Sequence, residues 1–296
     1  MNRNVDNSSQ LPLLLHACCG PCSLEPVRLL QKRGFAPHIF YANSNIAPVQ
    51  EYQRRRETLQ DWAQSEGIAA FEGTYDPQAW EETAGRIGQA ALEEAQNAPA
   101  NDEANNRVIS TGGGEAAGVK KSSPGPDIPA VLRVDPAKRE ARCRACYRLR
   151  LQEAARFAAE HGYEALGTTL TVSIYQYTNV IREELEAACA PFGLTPVFDD
   201  FRPYFDQAEQ RSKELGMYRQ NYCGCRFSEQ EAAAQRAQRR AAAKAHKQAW
   251  REEHAEELAA EEQARQSKRA EKAAYAERQR QKHAALQAWR ESQVRQ

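Results

Sequence analysis

The sequence predicts an α/β protein built on a Rossmann-like, doubly wound and mainly parallel sheet. Three observations carry that expectation. Short apolar runs at residues 11–15, 38–42 and 68–71 alternate with longer helical patterns, the signature of strands joined by crossover helices. The first run feeds a tight turn containing Gly20 and Pro21, then a helix, and α/β proteins place their sites at such junctions. The 296 residues are enough for one large core or two smaller ones.

Taken in order, residues 1–10 read as a disordered lead-in. The strand at 11–15 is followed by a helix from about Ser23, with that serine as N-cap and Glu25 in the first turn, to Arg33, where Gly34 stops it. A strand at 38–42, a loop at 43–48, a helix at 49–66 and a strand at 68–71 come next. On the 49–66 helix, Tyr52, Leu59 and Trp62 suit one face and the Arg54–Arg56 triplet another.

Residues 85–137 are rich in Gly, Ala, Asn, Ser and Pro, with Gly112-Gly-Gly114 and Ser122-Ser-Pro-Gly-Pro126 at their centre. Such composition buries little apolar surface, so a disordered or loosely packed insertion is expected. Order is expected again in a helix from 139 to 161 stopped by Gly162, then a strand at 165–170, a helix ending near 190, a strand at 196–198 and a short helix at 207–215. The catalytic α/β domain thus runs over 1–228. Residues 229–296, dominated by Ala, Gln, Glu, Arg and Lys, form a charged tail, helical or disordered, with a thin apolar stripe.

Forty basic and forty acidic residues give no net charge, which removes any global pull on nucleic acid or membrane. No apolar run reaches the roughly 20 residues that span a bilayer, and the first ten residues show no signal-peptide core. A cytoplasmic protein is expected. Its eight cysteines are then metal ligands or redox groups rather than a disulfide framework.

Seven of those cysteines fall in three groups: Cys18/Cys19/Cys22, Cys143/Cys146 and Cys223/Cys225. The first lies in His16-Ala-Cys-Cys-Gly-Pro-Cys-Ser23, at the mouth of the sheet. Cys143-x-x-Cys146 sits on a helix and suits half a zinc site, half an iron–sulfur site or a dithiol. Adjacent Cys18-Cys19 is awkward for tetrahedral zinc and easier for a cluster that offers separate iron corners. In Cys223-Gly-Cys225 the glycine lets the sulfurs meet as a reducible disulfide, the other reading being two more metal ligands. Cys189, on an Ala-rich helix, reads as a small buried hydrophobe. Arginines at 54–56, 142–150, 219 and 226, interleaved with Tyr147, Tyr175, Tyr177, Tyr218 and Tyr222, suit a single-stranded or flipped nucleotide.

Four motifs, in order, resemble one family. They are Leu13-Leu-Leu-His-Ala-Cys-Cys-Gly-Pro-Cys-Ser23, Arg142-Cys-Arg-Ala-Cys-Tyr-Arg-Leu-Arg-Leu151, Thr168-Thr-Leu-Thr-Val-Ser-Ile-Tyr-Gln176 and Gly216-Met-Tyr-Arg-Gln-Asn-Tyr-Cys-Gly-Cys-Arg-Phe-Ser228. The resemblance is to the QueH family, the cobalamin-independent epoxyqueuosine reductases, and covers about 11–84 and 138–228. It implies an adenine-nucleotide-hydrolase-like fold and a [4Fe–4S] cluster on Cys18, Cys19, Cys143 and Cys146. It also implies a redox-active disulfide between Cys223 and Cys225. The implied reaction converts epoxyqueuosine to queuosine at the wobble position of a tRNA anticodon, the last step of that tRNA modification, with electrons from a donor the sequence does not name. Related folds carry an ATP phosphate loop after the first strand; here His16–Ser23 takes that place and disfavours ATP chemistry.

Removing an epoxide oxygen requires two electrons and an acid at that oxygen. Cys22 is placed to hold a second metal ion, iron, that polarises the epoxide, and Asp199, Asp200 or a tyrosine is a source of the proton. Two other readings compete. A zinc-stabilised RNA-binding module has no catalysis, and a general thiol–disulfide oxidoreductase works through Cys143/Cys146 without metal. Neither has a use for the adjacent Cys18-Cys19 pair.

Overall fold

Leu13, Leu14 and Leu15 are fully buried because the strand that carries them lies at the centre of the sheet, covered on both faces. The computed structural model describes residues 11–98 and 128–294. Its five strands are β1 (Leu11–His16), β2 (Phe35–Tyr41), β3 (Ala70–Glu72), β4 (Ala165–Thr168) and β5 (Thr195–Val197). They pair in the order β3-β2-β1-β4-β5, every neighbouring pair parallel. The expected doubly wound sheet is therefore present. The strand order reverses between β1 and β4, the switch point at which such sheets open a crevice.

Side chains alternate across the sheet, as the two-residue period of a strand requires. Leu13 and Leu15 join a core with Val27 and Leu30 of α1 (Gly20–Lys32), Leu59 and Trp62 of α2 (Val49–Ser65) and Ala208 of α8 (Phe205–Glu214). Leu14 turns to the opposite core, with Leu151 and Ala155 of α6 (Pro136–Glu160) and Ile181 and Leu185 of α7 (Thr178–Cys189). Cys189 is buried in that second core, as a small apolar side chain is.

The helix after β1 starts earlier than its sequence suggests. Gly20 and Pro21 fall inside the first turn of α1, with Cys19 rather than Ser23 at the N-cap. Proline is tolerated there because the first turn has no carbonyl to receive its missing N–H. Ser23 instead donates to the Cys19 carbonyl at 2.9 Å. Cys22 is thereby carried on the first turn of the helix.

A second difference lies at both ends of the expected loose insertion. Helices α4 (Arg86–Asn97) and α5 (Ala130–Arg133) are ordered there, and α3 (Pro77–Trp80) precedes the insertion. Trp80, Ala91, Leu92, Ala95, Val131 and Leu132 make a third core with Phe227, Cys146 and Cys225. Small residues mislead here because they bury little area each, yet they let helices approach closely. The middle of the insertion, with Gly112–Gly114 and Ser122–Pro126, lies outside the described residues, as does the 1–10 lead-in.

Gly88 of α4 shows how tight that approach is. A Cβ there would stand 2.6 Å from the Phe227 ring and 2.7 Å from Arg142 Cδ. Gly88→Ala is therefore expected to destabilise the protein by about 1–3 kcal/mol through overpacking, against the helix preference of about 1 kcal/mol for alanine. Denaturant unfolding tests it, and a variant as stable as the parent or more so contradicts this packing.

The chain divides into compact units of residues 1–235 and 236–296. The second unit consists of the remainder of α9 (Arg226–Glu253) and of α10 (Ala255–Val294). Its described side chains are almost all exposed, as expected of helices with few apolar residues. No helix among the described residues is long and apolar enough to cross a membrane.

Candidate active site

The switch point builds the site. The backbone leaving β1 passes through Ala17 to Cys18 and Cys19, and the backbone leaving β4 passes to Thr169, whose N–H donates to the His16 carbonyl at 2.9 Å. His16 is fully buried, its Nδ1 3.0 Å from Thr168 Oγ1 and its Nε2 3.2 Å from the Ala42 carbonyl. Burial, aided by the charge of Arg150, lowers its pKa to about 3. The imidazole is neutral and serves to join three strand ends.

Cys18, Cys19 and Cys22 converge, their sulfurs all within 4.8 Å of one another. Cys18 and Cys19 sulfurs are 3.8 Å apart, and the Thr169 hydroxyl is 3.9 Å from Cys18. Hydrogen bonding shared with Cys19 and Cys22 holds the Cys18 thiol well below the ordinary range. Burial pushes Cys19 up, and the hydrogen bonds to Cys18 and Cys19 push Cys22 up. The triad thus favours a single thiolate at Cys18. In metal-free protein, iodoacetamide is accordingly expected to modify Cys18 before Cys19 and Cys22 at pH 7, since a lowered pKa keeps the thiolate present below the usual thiol range. Peptide mapping tests this; equal or faster modification of Cys19 or Cys22 contradicts it.

Cys143 and Cys146 come from α6, one helical turn apart, outside that close triad. Burial raises Cys143 to about 12 and raises Cys146. One buried cation joins the groups: Arg150, a further turn along α6, acts electrostatically on Cys146, Cys18 and Cys223. Arg150 is held by the Asn43 side chain, which in turn donates to the Ala17 carbonyl at 2.9 Å.

Cys223-Gly-Cys225 stands on the loop before α9. Cys225 is buried and Cys223 exposed, and all eight cysteines are free thiols. Gln176 Nε2 donates to Cys223 Sγ at 3.4 Å, while its Oε1 accepts from the buried Tyr147 hydroxyl at 2.6 Å. Gly224 has φ 142°, and a Cβ there would approach Ile46 to 2.9 Å and Asn45 to 3.0 Å. Only glycine passes through this bend without strain.

Several residues that order this site are missed by sequence reasoning. Contrary to the expectation for the Arg54–Arg56 triplet, Arg55 does not stand apart from the face of Tyr52, Leu59 and Trp62: it is 1% exposed. Its Nη1 donates to the Cys223 carbonyl at 2.8 Å and its Nη2 to the Tyr222 carbonyl at 3.2 Å. Its Nε pairs with Glu51 at 2.7 Å, and Glu51 accepts from Tyr218 at 2.6 Å. The one sequence signal is the i,i+4 spacing of Glu51 and Arg55. Gln220 falls within the Gly216–Ser228 motif, but nothing in its spacing points to the thiols; its amide donates to Cys19 Sγ at 2.8 Å and lies 4.0 Å from Cys22 Sγ.

The proton sources considered from sequence fare differently. Asp199 pairs with Arg33, and Asp200 with Arg202, which holds its carboxyl below the usual range. Both carboxylates are thus turned to arginines rather than to the thiols. The arginines expected to meet a nucleotide are mostly engaged within the protein: Arg142 with Glu231, Arg144 and Arg148 with Glu184, Arg219 with Glu209 and Arg226 with Glu81.

A parallel Rossmann-like sheet whose switch point carries three converging cysteines, with buried guanidinium charges beside them, is a site with the donors for metal binding or thiol chemistry. The family model described as epoxyqueuosine reductase QueH matches residues 13–97 and 130–231. The chain belongs to this family of oxidoreductases. Curated proteins named epoxyqueuosine reductase QueH are similar to it along most of their length. That of Dehalococcoides mccartyi is 28% identical over 219 residues, covering 74% of this chain and 93% of that protein. That of Thermotoga maritima is 26% identical over 218 residues, covering 73% and 89%. That of Haemophilus influenzae is 26% identical over 220 residues, covering 73% and 71%. A predicted tRNA methyltransferase subunit from Methanocaldococcus jannaschii covers 68% of this chain and 75% of its own at 14% identity and a TM-score of 0.33, a likeness too remote to bear on function.

Proposed function

We propose that this chain reduces epoxyqueuosine to queuosine in tRNA, with Cys223 and Cys225 as the redox-active pair. The observation that supports the reading is that the family match spans all three thiol groups, one cysteine of each acting electrostatically on Arg150.

In this reading both C–O bonds of the epoxide break, a carbon–carbon double bond forms, and the oxygen leaves as water. The two electrons and two protons come from Cys223 and Cys225, which pass from two thiols to one disulfide. An electron donor then restores the dithiol. Gln176 orients the Cys223 sulfur and is itself fixed by Tyr147. Tyr175, 71% exposed and next to Gln176, offers a ring on which a base can stack.

The donor set fits an iron–sulfur cluster. It is made of sulfur alone, partly or wholly buried, and the Arg150 and Arg55 cations offset thiolate charge. Cys18, Cys19, Cys143 and Cys146 would hold the cluster, leaving Cys22 for a second iron. Bound there, a cluster supplies electrons one at a time. The protein's own contribution is to keep those sulfurs dry and to place Gln220 against Cys19 and Cys22.

The test is nucleoside analysis of tRNA containing epoxyqueuosine after incubation with anaerobically prepared protein and a reductant. Queuosine is the expected product. Epoxyqueuosine left intact by protein loaded with iron and sulfide contradicts the proposal.

A further inference from the structure

The arginines around the thiols are largely neutralised by acids, and further cations lie elsewhere. They lie on α9. From Arg236, where the second unit begins, to Arg251 the sequence carries Arg236, Arg239, Arg240, Lys244, Lys247 and Arg251 and no Asp or Glu. At 3.6 residues per turn these six fall within an arc of about 140° and along about 22 Å of helix. Arg239, Arg240, Lys244, Lys247 and Arg251 are exposed and have no ion-pair partner among the described residues.

Trp250 lies on the same arc. It is 46% exposed and one face of its ring is stacked on His254, centroids 4.5 Å apart at 20°. Cations with an interleaved, pre-oriented aromatic are the pairing that holds phosphates and unstacked bases. The rest of this stretch is Ala and Gln with one His, without the Leu or Phe face that a membrane-surface helix buries. The family match ends at residue 231, so this stripe is additional to what the family shares.

We infer that the basic face of α9, residues 236–251, is an RNA-binding surface that grips the phosphodiester backbone of the tRNA substrate. The inference rests on the reading of this chain as an enzyme acting on tRNA. The stripe contributes affinity and on-rate through counterion release, and Trp250 adds a stacking contact independent of salt.

The test uses the full chain and an end-labelled tRNA transcript, with affinity measured across a salt series. The variant carries Arg239→Gln, Arg240→Gln, Lys244→Gln, Lys247→Gln and Arg251→Gln. Glutamine retains helix propensity close to that of Arg and Lys, and far-UV circular dichroism checks that the helix is kept. Affinity is expected to fall at least tenfold near 0.1 M salt. The slope of log K against log salt is expected to flatten by roughly 3–5, about 0.7–0.9 for each phosphate no longer neutralised. Trp250→Ala is expected to weaken binding about fivefold with the slope unchanged.

Unchanged affinity and slope in the five-site variant overturn the inference, as does a loss confined to anionic phosphatidylglycerol vesicles. Failure of the parent chain to convert epoxyqueuosine tRNA instead overturns the reductase reading. Conversion by the parent with undiminished tRNA binding by the variant overturns the stripe alone.

Discussion

Cys223→Ser and Cys225→Ser, made singly, are each expected to lower reductase turnover by about 10³-fold or more while leaving tRNA affinity within about twofold. Serine preserves the shape of the loop but cannot pass two electrons through a sulfur–sulfur bond. The two variants separate in a second readout. Cys225 is 6% exposed and packs with Trp80, Phe227 and Cys146, so a hydroxyl there also costs about 1–3 kcal/mol of stability if unpaired. Cys223 is exposed, so its serine variant should unfold like the parent. Turnover by either variant at the parental rate would remove the dithiol from the mechanism.

Arg55→Ala is expected to be the most damaging change distant in sequence from the thiols. Arg55 spans Glu51 and the carbonyls of Tyr222 and Cys223, and its guanidinium lies 5.0 Å from the Tyr222 ring centroid. Its removal strands Glu51, which is 7% exposed, as a buried charge, at a cost of about 3–5 kcal/mol. It also frees the loop that presents Cys223. Arg55→Lys keeps charge and stem but cannot reach a carboxylate and two carbonyls at once. It is expected to fold and to turn over about 10–100-fold more slowly, since small misplacements of reacting groups cost that much. Thermal unfolding and turnover, measured together, test both variants. Parental values for Arg55→Lys in both would show that the clamp does not position the loop.

Much of this protein is legible in its sequence, and the limits have physical causes. β1 is clear because a central parallel strand buries both faces and so reads as an unbroken Leu run. The thiol groups are clear because their spacing is local. Arg55 is not, because a triplet of arginines looks solvated, and burial of its middle member depends on carbonyls more than 160 residues away. α4 is hidden by its Gly and Ala content, since its burial comes from close approach to Phe227 rather than from large apolar side chains. That Cys22 rides on the first turn of α1 needs the true start of that helix, which Pro21 disguises.

The redox assignment stands most directly on what the gathered thiols hold. Iron and acid-labile sulfide are to be quantified, with the visible spectrum, on anaerobically prepared protein. Four irons and four sulfides per chain with broad absorption near 400 nm, roughly as a cubane cluster shows, are the predicted result, with additional iron if Cys22 binds a second ion. Stoichiometric zinc without sulfide, persisting after anaerobic reconstitution, would contradict the redox assignment and make these cysteines a structural metal site.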